Sequence, residues 1–183
     1  MPTYIALLRG INVSGQKLIR MADLQSHFAA CGAVNVRTYI QSGNVVFEHR
    51  ARTPATLRKI LEQQLPDKLG YAVPTLVTTA KEFAAIARAN PHDTGLPEFG
   101  KRMYVCFFES PPSATAVKAI LSAGNDAERL VVKGGAGYAY YANGLGKAKL
   151  TSAIIERKLG TVTFRNWNTV TALLEIAQPQ SHT

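Results

Sequence analysis

The apolar positions of this chain fall into short runs and helical spacings whose order repeats. Tyr4–Leu8 is an apolar run ending at a glycine-containing loop, which predicts a strand. Met21, Leu24 and Phe28 share one face of a predicted helix over 21–30, with Gly32 as its stop. Residues 34–41 are rich in β-branched and aromatic side chains. Ser42-Gly43 breaks that run and 44–49 resumes it, which predicts a hairpin. Pro54 opens a predicted helix over 54–69, with Leu57, Ile60, Leu61 and Leu65 inward and Gly70 beyond its end. Pro66 is expected to end or kink its last turn. A strand over 72–78 completes this half.

The second half follows the same order. Residues 102–109 read as a strand, and Ser110-Pro111-Pro112-Ser113 starts a helix through Leu121. Residues 128–133 and 138–142 flank Gly134-Gly135-Ala136-Gly137 as a second hairpin. A helix over 150–159 stops at Gly160, 161–164 reads as a short strand, and 169–177 as a terminal helix. Two successive βαββαβ patterns predict an α+β fold of two ferredoxin-like units with an extra C-terminal helix. The expected domains are 1–79, a linking helix and loop over 80–101, and 102–183. The repeat is one of pattern, with little residue identity between the halves.

This topology locates a candidate site. In a βαββαβ unit the first two strands run parallel, with the third antiparallel between them. The loop after the first strand and the hairpin between the second and third therefore leave the sheet at one end. Residues 9–20 and Gln41-Ser42-Gly43-Asn44 are thus expected to be neighbours. Arg9, Lys17 and Arg20, the glycine backbone at Gly10 and Gly15, and a helix N-terminus can converge there on an anion. Asn12, Gln41, Ser42 and Asn44 add donors and acceptors. The plain alternative gives the glycines to backbone turns, Asn12 to its own loop and Ser42-Gly43 to the hairpin.

Gly10-Ile11-Asn12-Val13-Ser14-Gly15 has the glycine spacing of a nucleotide-hydrolysing phosphate loop, but Gln16-Lys17-Leu18 follows. The lysine is displaced by one position and the magnesium-binding hydroxyl is missing, which argues against hydrolysis by this motif.

Charge sharpens this picture. The 183 residues carry a formal charge of +9 and a pI near 9.8, which favours anionic partners. Residues 1–80 hold +5 and residues 81–183 hold +4, so no basic tail accounts for it. Cys31 and Cys106 lie outside any CxxC or Cys/His cluster and read as buried thiols, with no metal expected. His27, His49, His92 and His182 have no metal-ligand spacing, and no carboxylate pair suggests acid–base work. Arg9 interrupts the first apolar run, so no signal peptide is expected. No apolar stretch approaches the ~18 residues of a membrane span. A cytoplasmic protein is the expectation.

A second candidate is Arg165-Asn166-Trp167-Asn168-Thr169. Trp167 can stack on a base while Arg165 meets phosphate. Alternatively Asn168 caps a helix and Trp167 packs between the halves.

Three separated segments carry a resemblance. They are Tyr4-Ile5-Ala6-Leu7-Leu8-Arg9-Gly10-Ile11-Asn12-Val13, Arg37-Thr38-Tyr39-Ile40-Gln41-Ser42-Gly43-Asn44-Val45-Val46-Phe47, and Thr163-Phe164-Arg165-Asn166-Trp167-Asn168-Thr169-Val170. In that order they resemble Domain of Unknown Function family 1697, which is mainly bacterial. The resemblance implies an α+β protein with ferredoxin-like halves and implies no activity or cofactor.

The residues themselves suggest binding of a phosphorylated ligand: a nucleotide, a nucleic acid or a phosphorylated small molecule. Arg9, Gly10, Asn12, Gly15, Lys17, Gln41, Ser42, Asn44, Arg165 and Asn166 are the candidate contacts. One alternative is an enzyme acting on a small anionic substrate in a cleft between the halves. Another is a structural module that dimerises through an open sheet edge. No membrane partner is expected, and the chain is expected as a monomer or homodimer.

Overall fold

The computed structural model describes residues 1–13, 17–121 and 127–178. In chain order the first elements are β1 (Thr3–Leu8), α1 (Met21–Ala30), β2 (Val34–Tyr39), β3 (Asn44–Glu48), α2 (Pro54–Leu69) and β4 (Thr75–Thr79). Next come α3 (Ala80–Arg88), α4 (Phe99–Arg102), β5 (Met103–Phe108), α5 (Ala114–Leu121), β6 (Glu128–Lys133) and β7 (Ala136–Tyr141). The chain continues with α6 (Ser152–Leu159), β8 (Val162–Asn166) and α7 (Trp167–Ala177). This is an α+β fold with two four-stranded antiparallel sheets, ordered β2-β3-β1-β4 and β6-β7-β5-β8. The chain divides into two compact units, Met1–Ala84 with the segment from Ala172 onward, and Ala85–Thr171.

In the first unit, alternation along β1 sends Tyr4, Ala6 and Leu8 to one sheet face, where β3 adds Val45 and Phe47. Leu24 and Phe28 of α1 and Leu57, Leu61 and Leu65 of α2 lie four residues apart and fill the same layer. Phe28 meets Phe47 edge-on at 5.2 Å. Thr53 caps α2 by accepting the Thr56 N–H at 3.1 Å, and Pro54 occupies the first turn, where a missing N–H costs nothing. Pro66 does not end this helix. The chain stays helical to Leu69, and Gly70, in the left-handed region, closes it with its N–H on the Pro66 carbonyl at 2.8 Å. The buried stripe ending at Leu65 outweighs one absent backbone bond.

In the second unit Cys106, Phe108, Ala139, Tyr141, Leu130, Ile120 and Ile155 form the corresponding layer. Tyr141 is almost fully buried, and its hydroxyl donates to the Leu150 carbonyl at 3.0 Å, so the ring brings no unmet polar group inside. Strand β7 begins at Ala136, two residues earlier than the glycine cluster suggested. Gly137 pairs with Cys106, and a Cβ there would lie 2.9 Å from the Cys106 Cβ. The segment after α3 belongs to this unit: His92 Nε2 lies 3.1 Å from the Tyr138 carbonyl, and Tyr140 donates to the Pro97 carbonyl at 2.9 Å.

No helix among the described residues is long and apolar enough to cross a membrane, and those residues contain no metal-ligating cluster of three or more groups.

Both cysteines are buried, and burial pushes both thiols up in pKa, Cys106 above any physiological range. Neither is therefore expected to react with an aromatic disulfide reagent in the native protein, while both react in denaturant. A rapid reaction of either thiol under native conditions would contradict this packing.

Candidate functional site

The loop after β1 and the β2–β3 hairpin meet at one end of the first sheet, where Leu7 pairs with Asn44. The Leu8 N–H donates to the Gly43 carbonyl at 2.8 Å. Gly43 has φ +76°, and a Cβ there would sit 2.8 Å from the Leu8 Cβ and 2.9 Å from Ile11 Cδ1. Only glycine meets both demands at this close approach.

Asn12 joins the two segments. Its Oδ1 accepts the Ile19 N–H at 2.8 Å, and its Nδ2 donates to the Ile19 carbonyl at 3.0 Å and the Gln41 carbonyl at 2.9 Å. Its backbone N–H also donates to the Lys17 carbonyl at 3.1 Å. Asn12 has φ 52°, a conformation asparagine tolerates better than most side chains. The carboxamide is thus committed to closing its own loop onto the hairpin.

Asn44 is fully buried, and its Nδ2 donates to the Tyr39 carbonyl at 3.1 Å and to Ser42 Oγ at 2.8 Å. A side chain with no exposed surface meets no ligand in this conformation. Arg9 is half-buried, and its backbone N–H donates to the Pro74 carbonyl at 3.0 Å. Gly10 is exposed with φ +71°, and a Cβ there would meet open space. Gly15 lies outside the described residues. The Lys17 ammonium lies 3.4 Å from the Ala72 carbonyl and 5.4 Å from the centre of the Tyr71 ring. The Tyr71 hydroxyl donates to the Lys17 carbonyl at 3.0 Å.

Ala72 and Tyr71 mark a third segment at this sheet end, the connection from α2 to β4. Sequence reasoning did not draw it in, although the same topology places it there: β4 runs antiparallel to β1 with Leu8 opposite Thr75. Between the three segments lies an open groove of about 710 Å³. Its polar lining includes Arg20, Asp23, His27, Gln41 and Lys68, and its apolar lining includes Leu18, Ile19, Met21, Leu69 and Tyr71. Arg20 grips Asp23 through Nε at 2.8 Å and Nη2 at 3.1 Å. That hydrogen-bonded guanidinium holds the Asp23 carboxyl below its ordinary pKa. The side chains of Gln41 and Lys68 are exposed and have no hydrogen-bond or ion-pair partner among the described residues. Helix α1 begins at this groove with Arg20 in the cap position and no side-chain cap.

Arg165 and Asn166 belong to the second unit. Arg165 Nη1 donates to the Phe164 carbonyl at 2.8 Å. Asn166, rather than Asn168, caps α7 by accepting the Thr169 N–H at 2.9 Å. Strand β8 stays paired through Asn166, opposite Tyr104, which moves the cap two residues earlier. Trp167 packs edge-on against Phe99 at 5.6 Å, inside the second unit.

The chain belongs to the family described as protein of unknown function, DUF1697, whose model matches residues 1–138. That span includes the β1 loop and the hairpin, whereas 163–170 falls beyond it. No curated protein matches the chain. Among solved structures, the conserved bacterial protein SP0830 from Streptococcus pneumoniae is similar over 97% of this chain and 99% of its own, at 20% identity and a TM-score of 0.71. That likeness supports the fold.

Replacing Asn12 with Ala removes three side-chain hydrogen bonds at about 1 kcal/mol each and leaves a left-handed backbone without asparagine. Chemical denaturation is expected to show a loss of about 2–3 kcal/mol for Asn12→Ala and under ~0.5 kcal/mol for the exposed Gln41→Ala. Equal losses would show that Asn12 does not hold the loop.

Proposed function

We propose that this protein binds a phosphorylated ligand in the groove of its first unit. The observation that carries this reading is the exposed Lys68 ammonium, without a hydrogen-bond or ion-pair partner among the described residues, on a groove also lined by Arg20, Gln41 and His27. The Lys17 ammonium of the loop is engaged with the Ala72 carbonyl of the α2–β4 connection. Lys68 has no such engagement among the described residues. An ammonium and a guanidinium with remaining donors suit phosphate oxygens. The uncapped first turn of α1 adds backbone N–H groups of the same polarity. The overall charge of +9 draws polyanions toward the molecule without selecting among them.

Compared with the sequence expectation, the proposed contacts shift. Gln41 remains, Arg20 takes the place given to Arg9, and Lys68 enters. Asn12 lines the groove and, with Asn44 and Lys17, makes the hydrogen bonds that hold the segments around it.

Calorimetric titration of the full chain with ATP, inorganic tripolyphosphate and a short single-stranded oligonucleotide tests the proposal. Binding of at least one probe at low salt is expected. Lys68→Ala and Arg20→Ala are each expected to weaken it by about tenfold, the worth of one charge-assisted contact. Thermal stability should change little, because both side chains are exposed. Raising the salt should weaken every probe. Absence of binding at low salt, or unaltered affinity in both variants, would overturn the proposal.

A further inference from the structure

The groove is larger and more apolar than a phosphate requires. Its volume of about 710 Å³ lies within the range of pockets that hold a whole cofactor-sized molecule. Its lining combines the polar Lys68, Arg20 and Gln41 with the apolar Leu18, Met21, Leu69 and Tyr71. Leu18 is 71% exposed, and Ile40, beside Gln41 at the hairpin tip, is 53% exposed. Ile40 also holds φ 47°, a costly backbone conformation for a β-branched residue. Lys17 holds the Tyr71 ring: its carbonyl accepts the Tyr71 hydroxyl, and its ammonium lies over the ring.

The second unit shows that the βαββαβ topology does not dictate this lining. Its own groove, about 390 Å³, sits between the β5–α5 loop and the end of α6, the equivalent place in the order of elements. Both second helices even end in the same three residues, Lys68-Leu69-Gly70 and Lys158-Leu159-Gly160. Yet the second groove is lined by one cation, Lys158, and one carboxylate, Glu109, and its described lining includes no aromatic ring and no carboxamide. The aromatic ring of Tyr71 and the Gln41 amide, unpartnered among the described residues, are properties of the first groove.

We infer that the ligand of the first groove is a nucleoside phosphate. Its base lies against the wall of Leu18, Met21 and Tyr71, and the carboxamide of Gln41 reads its edge. This rests on the groove being a phosphate site, as proposed above. A base presents an apolar face and a polar edge, and the groove offers a complement to each. The Gln41 amide provides donors and an acceptor, a combination a phosphate alone cannot use in full. The nucleoside phosphate is either free or one residue of a single-stranded nucleic acid, since both present the same chemistry.

The test compares ATP with inorganic tripolyphosphate, which carries the same phosphates without a base, on the full chain and on Leu18→Ala and Gln41→Ala. ATP is expected to bind at least about tenfold tighter, the worth of one stacked or hydrogen-bonded base. Each variant should shrink that preference to within about threefold, and Leu18→Ala, at a side chain with no group to contact phosphate, should leave tripolyphosphate affinity unchanged. Equal affinity for ATP and tripolyphosphate in the unaltered protein would overturn the base inference and leave the phosphate reading standing. An undiminished preference in both variants would overturn the assignment of these residues. Failure of both probes and of an oligonucleotide would overturn the phosphate reading itself. A single-stranded oligonucleotide that outbinds ATP by more than about tenfold identifies nucleic acid as the source, and one that does not identifies the free nucleotide; either supports a nucleoside phosphate.

Discussion

The end of the first sheet depends on the Asn12 carboxamide. Its exchange of hydrogen bonds with Ile19 imitates a backbone pairing, and its second Nδ2 hydrogen reaches across to Gln41. One backbone bond, from the Asn12 N–H to the Lys17 carbonyl, crosses this loop, and the Asn12 side chain adds three more hydrogen bonds. Because the loop is held, Leu18 through Met21 line a groove, and α1 starts beside it. Because the hairpin is held, Gln41 faces the same space. Gly43 permits the approach by leaving room for Leu8 and Ile11.

The strand and helix order was legible because both signals were strong. Continuous apolar runs marked β1 and β5, and leucines four residues apart marked α2. The meeting of the β1 loop with the hairpin followed from topology alone. The roles of the polar side chains there did not follow. Asn12 and Asn44 have the donors a ligand needs, yet Asn12 is satisfied by the Ile19 and Gln41 carbonyls, and Asn44 by the Tyr39 carbonyl and the Ser42 hydroxyl. Sequence shows that a group can donate, not that it already does. Lys68 was overlooked for a related reason. It sits in the last turn of the helix expected over 54–69, and only the packing of that turn beside the groove brings it to the sheet end. Asn166 and Asn168 are two residues apart and equally fit to cap, and the pairing of Asn166 opposite Tyr104 decides between them.

The two units show how far a shared topology determines a surface. Both place a loop, a helix start and a helix end around a groove, and both end the second helix in Lys-Leu-Gly. The core layers impose this, since each helix must cover one sheet face. Above the core the constraint relaxes. In the second unit prolines and serines stiffen the entry to α5, with Ser113 Oγ capping the helix at 3.2 Å. In the first, the corresponding cap position holds Arg20, whose partner is Asp23. The difference in chemistry therefore lies in the loops, where binding groups are carried by a rigid scaffold.

The central claim is that the first-unit groove receives a phosphorylated ligand. Backbone-amide NMR during titration with ATP tests it most directly, because it reports location as well as affinity. The account predicts that the largest shift changes fall on residues 18–23, Gln41 and residues 68–71, with the second unit little altered. Changes centred in the second unit, or a spectrum unaltered at saturating ATP, would contradict it.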